Sequence, residues 1–482
     1  MTDAAEAAAG DAERMPIPMG VIAETGATHP RLSNDDLRHI RPDSAAVLAR
    51  ADAGKVLGVD SSVDDPMDLT QTGWAVLFAS DVDPAIKEAL KPLLDWRKGQ
   101  VNDDKLFRVF EGPAGVRPNQ TAGSWAAARG VSLAAPVGPN RGVPFYLLIV
   151  GSPERVPFEF QEQLDLQWAV GRLHFDNVAD YGSYAQKVVD YEQGAAPAQG
   201  RRAAVWMPRN PGDLATPMLA GAVGANFLGQ GVNPPLGQRQ RFTVSSFIGD
   251  GQATKARLTN IFRGRIDGGA PAIVFTGSHG AEWSIADPAI QRQRQGALVT
   301  QEWSRGLPLE RDHYFSGEDL PADAQVHGLI AFVFACFGGG CPDKDSYFFA
   351  ADGSKAALTP VPLIAGLPQA LLARGALAAI AHVDRAFSYG FEDVMGTPQE
   401  QLLRTPVELL MKGQRVGLAA DPLNLQWSTL AAQLGLALGG NLPGMPQPRS
   451  PVVANLFIAR DDARNYIVLG DPAVRLRTEA MA

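Results

Sequence analysis

The chain has 482 residues, 45% of them hydrophobic and 20% charged, which fits a globular protein of two or three domains and excludes a disordered one. A net charge of −9 argues against a general nucleic-acid binder. No apolar run approaches the roughly 18 residues of a membrane span, and two cysteines, Cys336 and Cys341, make neither a disulfide framework nor a C-x-x-C zinc pair.

So few cysteines suit a reducing compartment. Met1 to Met15 lacks the basic and apolar regions of a signal peptide, so the expectation is a cytoplasmic protein. Residues 1–70 are polar and mixed, with clusters such as Asp35-Asp36-Leu37-Arg38, and read as an N-terminal extension or pro-segment with His29 and His39 in solvent. A first strand is predicted at Gly73–Ser80. Asp83-Pro84 then caps a helix to about Arg97. Residues 112–143 are rich in Gly, Pro and Asn and read as loop; Phe145–Gly151 is a second buried strand and Leu166–Val170 leads to a third. Asp176 caps a helix over 177–192, and Gly194–Gly200 is a linker of small residues. This alternation predicts a parallel α/β layer.

Ala203–Met207 opens a second unit, followed by the polar turn Pro208–Asp213 and a helix to about Leu228. A strand at Phe242–Ile248 and a helix at Lys255–Arg263 come next. Two apolar runs follow, each closed by glycine: Ala272–Gly280, which contains Ser278-His279-Gly280, and Leu329–Gly340, which contains Ala335-Cys336-Phe337-Gly338. Both read as buried strands of a parallel sheet, where sites form beyond the carboxyl ends. They would bring an imidazole and a thiol to one edge.

A thiolate is the attacking species, and a nearby histidine both raises its fraction and protonates a leaving amine. The glycines give room and allow φ > 0. The amides of Gly280 and Cys336 are candidate oxyanion donors. Taken alone, a cysteine at a strand end is usually a small buried hydrophobe, and a histidine there a satisfied polar group; the order and context of the two favour a dyad. Ser278 as a nucleophile is disfavoured, since it adjoins His279 on a strand and faces the other way. There is no G-x-S-x-G, Walker A or H-E-x-x-H motif.

The long segment between His279 and Cys336 carries Arg292, Arg294, Arg305 and Arg311, candidate cleavage sites in an activation or gating loop, with a solvated insertion as the plainer reading. Beyond Cys336, a helix is predicted at Leu363–Arg374 and a strand at 376–383. The strand end carries Asp384, Phe387 and Tyr389, candidates for a substrate-pocket wall. His382 lies inside the apolar run and is a decoy base. Helices at 399–412 and 417–437, a Gly/Pro loop from Gly439 to Pro451 and strands at 452–459 and 464–470 complete the chain.

The pattern of strand-Thr276-Gly277-Ser278-His279-Gly280, then strand-Ala335-Cys336-Phe337-Gly338, resembles the caspase-like cysteine peptidases, and most closely their gingipain-type and CHAT-like branch. Phe334 stands where caspases carry Gln. Val170-Gly171-Arg172-Leu173 with Lys187 and Tyr191-Glu192 is similar to that family's "GR…K…YE" segment. Gly375–Ala381 is similar to its post-cysteine strand, and Val468–Leu476 to its closing "GDP" strand.

The resemblance implies a caspase-like three-layer α/β sandwich with a mainly parallel sheet and two tandem subdomains. These would be a non-catalytic one over 71–195 and a catalytic one over 196–400, with 401–482 supplying closing helices and strands. It implies a cysteine endopeptidase using Cys336 and His279, with protein or peptide substrates, an activating protease, and a role in cell death or defence. No cofactor or metal is expected; relatives bind structural calcium, but no EF-hand-type loop is visible here. By the same resemblance Asp213 lines a pocket for a P1 Arg or Lys, with a helix N-cap as its structural alternative. Glu282 tunes His279 or is a surface carboxylate. The rival reading of the whole is a catalytically silent scaffold that binds a partner protein.

Overall fold

The computed structural model of the chain describes residues 16–32, 58–196, 198–349, 352–393, 397–438 and 451–482. The core is one ten-stranded sheet. Its strands are β1 Trp74–Phe78, β2 Phe107–Phe110, β3 Tyr146–Val150, β4 Ala169–Leu173 and β5 Arg202–Met207. The remainder are β6 Thr243–Ile248, β7 Ile273–Gly277, β8 Ile330–Phe334, β9 Ala378–His382 and β10 Tyr466–Gly470. Their lateral order is β2-β1-β3-β4-β10-β9-β8-β7-β5-β6.

All neighbours are parallel except β9 and β10. The sheet is therefore two parallel halves set in opposite directions, meeting at a seam where β10, parallel to β4 on one side, runs antiparallel to β9 on the other. Every residue of β1, β3, β4 and β7 to β10 is buried, so helices and loops cover both faces. The chain is thus an α/β sandwich on a mainly parallel sheet, as the strand pattern predicts.

The seam is also ionic. Arg97 is fully buried, with Nε 2.7 Å from Asp471 and its terminal nitrogens 2.6 and 2.7 Å from Glu192. The Trp74 indole donates to Asp471 at 3.0 Å. These pairs tie the helix carrying Arg97 and the helix carrying Glu192 to the end of β10.

Several local expectations are corrected. Asp83 caps its helix, but the helix divides into Pro84–Ala89 and Lys91–Val101, because Pro92 lacks the N–H needed to continue one ladder. The stretch expected as loop contains the helix Ala122–Ala127, capped by Thr121 and anchored by buried Trp125. Asn177, extended at φ −130°, caps the helix Val178–Gln193; Asp176 is one residue too early. The expected strand at 452–459 is part of a helix, Pro451–Arg464. Its Val453, Leu456 and Phe457 recur at helical spacing and share an apolar cluster with Trp427, Leu430 and Leu434 of the helix Asp421–Ala437.

The larger correction concerns residues 16–32, which belong to the fold. Gly20–Ile22 pairs in parallel with Gly280–Glu282, Gly20 opposite Gly280, inside a small sheet that also contains Ala27–Thr28, Leu298–Val299 and Tyr314–Phe315. His29 is 3% exposed, contrary to the expectation of solvent; His39 lies outside the described residues. The segment between His279 and Cys336 is likewise folded, with the helix Pro288–Arg294 and a cluster of Trp283, Val299, Trp303 and Tyr314 against Val21 and Ala23. Among the described residues no helix is long and apolar enough to cross a membrane.

Candidate active site

Strands β7 and β8 are neighbours in exact parallel register, Ile273 opposite Ile330 and Gly277 opposite Phe334. His279 lies two residues past Gly277 and Cys336 two past Phe334, so the two leave the same carboxyl edge at the same height. Adjacent strands lie ~4.8 Å apart. The Ser278 amide, donating to the Phe334 carbonyl at 3.1 Å, extends the pairing one step beyond the strands.

The glycines here answer to space. A Cβ on Gly280 would stand 1.8 Å from the Cys336 carbonyl oxygen, so only glycine lets the two backbones touch. On Gly338 it would meet Val333 Cγ1 at 2.8 Å, and on Gly340 Phe158 Cζ at 2.7 Å. The residue that does adopt the left-handed conformation is Phe337, at φ 58°. Its amide donates to the Asp384 carbonyl at 2.8 Å, turning the chain back toward the end of β9.

His279 is fully buried. Its Nε2 lies 2.9 Å from Asp213 Oδ2, and its ring meets Trp303 edge-on at 5.8 Å. Its Nδ1 is buried without a hydrogen-bond partner among the described residues. Burial would raise the Asp213 carboxyl, but His279, with the Thr216 amide and hydroxyl at 2.9 and 2.7 Å, holds it well below the usual carboxylate range. Asp213 therefore combines a helix-start role, through Thr216 in Ala215–Leu219, with a contact to His279 that the sequence reading did not foresee. Its carboxylate is engaged with these partners instead of standing open for a cationic side chain.

Cys336 is also fully buried. Its sulfur accepts from the Ala386 amide at 3.1 Å and lies 3.4 Å from the Ala386 carbonyl. Burial pushes this thiol far above its ordinary range, more than the Ala386 amide and Arg385 pull it down. Cys341 is a second buried free thiol, 3.6 Å from Gln295 Nε2. The Gly280 amide, a candidate oxyanion donor, donates to the Met19 carbonyl at 3.0 Å.

Glu282 turns to partners other than His279. It lies 2.9 Å from His29 Nε2 and 2.9 Å from Arg385. Burial would raise it, yet His29 and Arg385 hold it down to about 2. Asp384 is buried, pushed up to about 6 by desolvation and by Asp345, and its Oδ1 accepts from the Arg385 amide. Phe387 packs its ring on Tyr347 at 4.9 Å, so its backbone, more than its side chain, faces the edge. Tyr389 joins the same apolar cluster as Trp427 and Phe457. His382 is buried at 3.2 Å from Asp462 Oδ1, a structural contact within the fold.

Of the four arginines, Arg292 and Arg294 are helical, and Arg294 pairs with Glu318 at 2.8 Å. Arg311 pairs with Asp319 at 2.7 Å, and Arg305 is exposed. Among the described residues no three His, Cys, Asp or Glu side chains converge as a metal site.

No protein-family model matches the chain, and no curated protein matches it. Among solved structures, one described as "Structure of Protease" is 14% identical over 84% of this chain and 78% of its own, with a TM-score of 0.47. Two crystal structures of the Saccharomyces cerevisiae separase–securin complex align over 68% of this chain, at 11% and 8% identity and TM-scores of 0.31 and 0.29. This chain spans 16% of the aligned chain of that complex.

Proposed function

We propose that this chain is a cysteine endopeptidase in which Cys336 is the nucleophile and His279 the acid and base. The observation that carries the reading is the matched register of β7 and β8, which sets the backbones of His279 and Cys336 at one sheet edge, each two residues past a paired strand end. In the proposed reaction His279 Nδ1, the ring nitrogen without a partner among the described residues, takes the thiol proton and later gives it to the leaving amine. Asp213, bonded to Nε2, fixes the ring and stabilises its charged form. Backbone amides at Gly280 and Cys336 are the proposed donors to the oxyanion. Substrates are proteins or peptides that enter extended.

The preference for Arg or Lys loses its support, because the carboxylate on which it rested is already paired with His279. The buried, protonated thiol agrees with a latent form that an opening step or a proteolytic cut activates.

A cleavage screen with a peptide library, alongside labelling by a peptide chloromethyl ketone, tests the reading. Wild type should cut peptides and take the label on Cys336, and Cys336→Ala should do neither. A wild-type protein inert in both assays, before and after limited proteolysis, would instead be the silent scaffold.

A further inference from the structure

We propose that Ile17–Met19 occupies the cleft as the acyl side of a substrate, and that the Met19–Gly20 bond is a self-cleavage site. The proposal rests on the peptidase reading above and adds to it a substrate class: extended peptides with an uncharged, unbranched apolar residue before the cut.

The segment lies antiparallel to Ala386–Ser388. The Met19 amide donates to the Ala386 carbonyl at 2.8 Å, and the Ser388 amide donates to the Ile17 carbonyl at 3.0 Å. The Ile17 amide reaches Ser388 Oγ at 3.2 Å. Pro18 stands opposite Phe387, the position in an antiparallel ladder that requires no N–H from it. This is strand addition, the way an extended peptide is held by its backbone.

The ladder ends where chemistry would begin. The Met19 carbonyl oxygen takes the Gly280 amide at 3.0 Å, the donor proposed above for an oxyanion. Ala386 connects this peptide to the thiol: its carbonyl holds the Met19 amide, while its own amide donates to Cys336 Sγ at 3.1 Å. Met19 is 0% exposed and belongs to the main apolar core, so its position accepts a thioether and would reject a lone charge. On the other side of the bond, a Cβ on Gly20 would fall 2.0 Å from the His29 ring, so the residue after the cut must be small.

The step balances within the chain and water. The Cys336 thiol gives its proton to His279, and its sulfur bonds to the Met19 carbonyl carbon. The Met19–Gly20 C–N bond breaks, and the Gly20 nitrogen leaves with the proton held by His279. Water then hydrolyses the thioester, yielding the Met19 carboxylate and restoring the thiol. Gly20–Ile22 stays in the small sheet, while the Ile17–Met19 side is free to leave and open the cleft.

The test incubates the full chain at neutral pH and follows it by intact mass and N-terminal sequencing. Wild type should gain a new N-terminus reading Gly20-Val21-Ile22, and Cys336→Ala and Cys336→Ser should stay whole. Met19→Asp should slow the cut on the order of a hundredfold, and an Ile-Pro-Met aminocoumarin peptide should be hydrolysed faster than its Ile-Pro-Arg analogue by a similar factor. If wild type cleaves library peptides but stays whole at Met19, or prefers Arg, the proposal fails while the peptidase reading stands. A cut at Met19 that persists in both Cys336 variants also overturns it. If library cleavage and Cys336 labelling are both absent, the peptidase reading fails and the proposal with it.

Discussion

Replacing Asp213 by Asn removes a charge from beside His279 and changes little else in shape. In the proposed reaction the ring gains a positive charge when it takes the thiol proton, and that part of the reaction feels the loss. Opposite unit charges at 4 Å interact by about 4 kcal/mol in an effective dielectric of about 20, and more at shorter range. Here the separation is 2.9 Å and Asp213 is 8% exposed, so solvent screens little. Two hydrogen bonds from Thr216 to the same oxygen already satisfy part of the charge. A barrier increase of about 3–4 kcal/mol follows, or roughly 10² to 10³ in kcat.

KM should hold within about twofold, because the proposed contact is to His279 and not to substrate. The assay is steady-state hydrolysis of a peptide amide. A kcat within about threefold of wild type would refute the orienting role. Stability gives a second readout with a definite sign. The fold depresses the Asp213 carboxyl, so its contribution is present above the ordinary carboxyl range near pH 4 and is lost as pH falls toward the folded value. Asp213→Asn should lower the urea midpoint at pH 7, and the gap from wild type should close progressively below about pH 4.

Gly280→Ala would set a methyl 1.8 Å from the Cys336 carbonyl oxygen, forcing backbone to move by more than an ångström. A loss of roughly 3 kcal/mol or more and a fall in Cys336 labelling are expected, and an unchanged melting temperature would contradict the close approach. Arg97→Met strands Asp471 and Glu192 in the seam and should cost about 3–5 kcal/mol in urea unfolding; a loss below about 1 kcal/mol would count against the ion cluster as a clamp. Burial, then the charge of Arg385, pushes His29 down to about 4, against the opposing pull of Glu282. The unfolded chain therefore takes up the proton first, and stability should fall by about 3 kcal/mol as pH drops from about 6.5 to 4. His174, also lowered to about 4, acts alike in both proteins, so His29→Gln should flatten the slope; parallel curves would remove His29 as its source.

The strands that build the core were legible because a strand covered on both faces is apolar at nearly every position. Trp74–Phe78, Tyr146–Val150, Ile273–Gly277 and Ile330–Phe334 all announce themselves in this way. The candidate thiol and imidazole could be singled out for the same reason, since each stands just past such a run and before glycine. Local pattern failed where neighbours arbitrate. Val452–Ala459 is β-branched enough to read as strand, yet packing against Trp427 and Leu430 makes it helical.

The chain order of residues thus determined a mainly parallel α/β core and which carboxyl edge carries Cys336 and His279. Tertiary structure alone decided that Asp213 meets His279, that Glu282 meets His29 and Arg385, and that Met19 covers the edge. Each of these is a contact between distant segments. Periodicity records how a residue sits in its own helix or strand, and it holds no trace of the partner that folding brings from elsewhere in the chain.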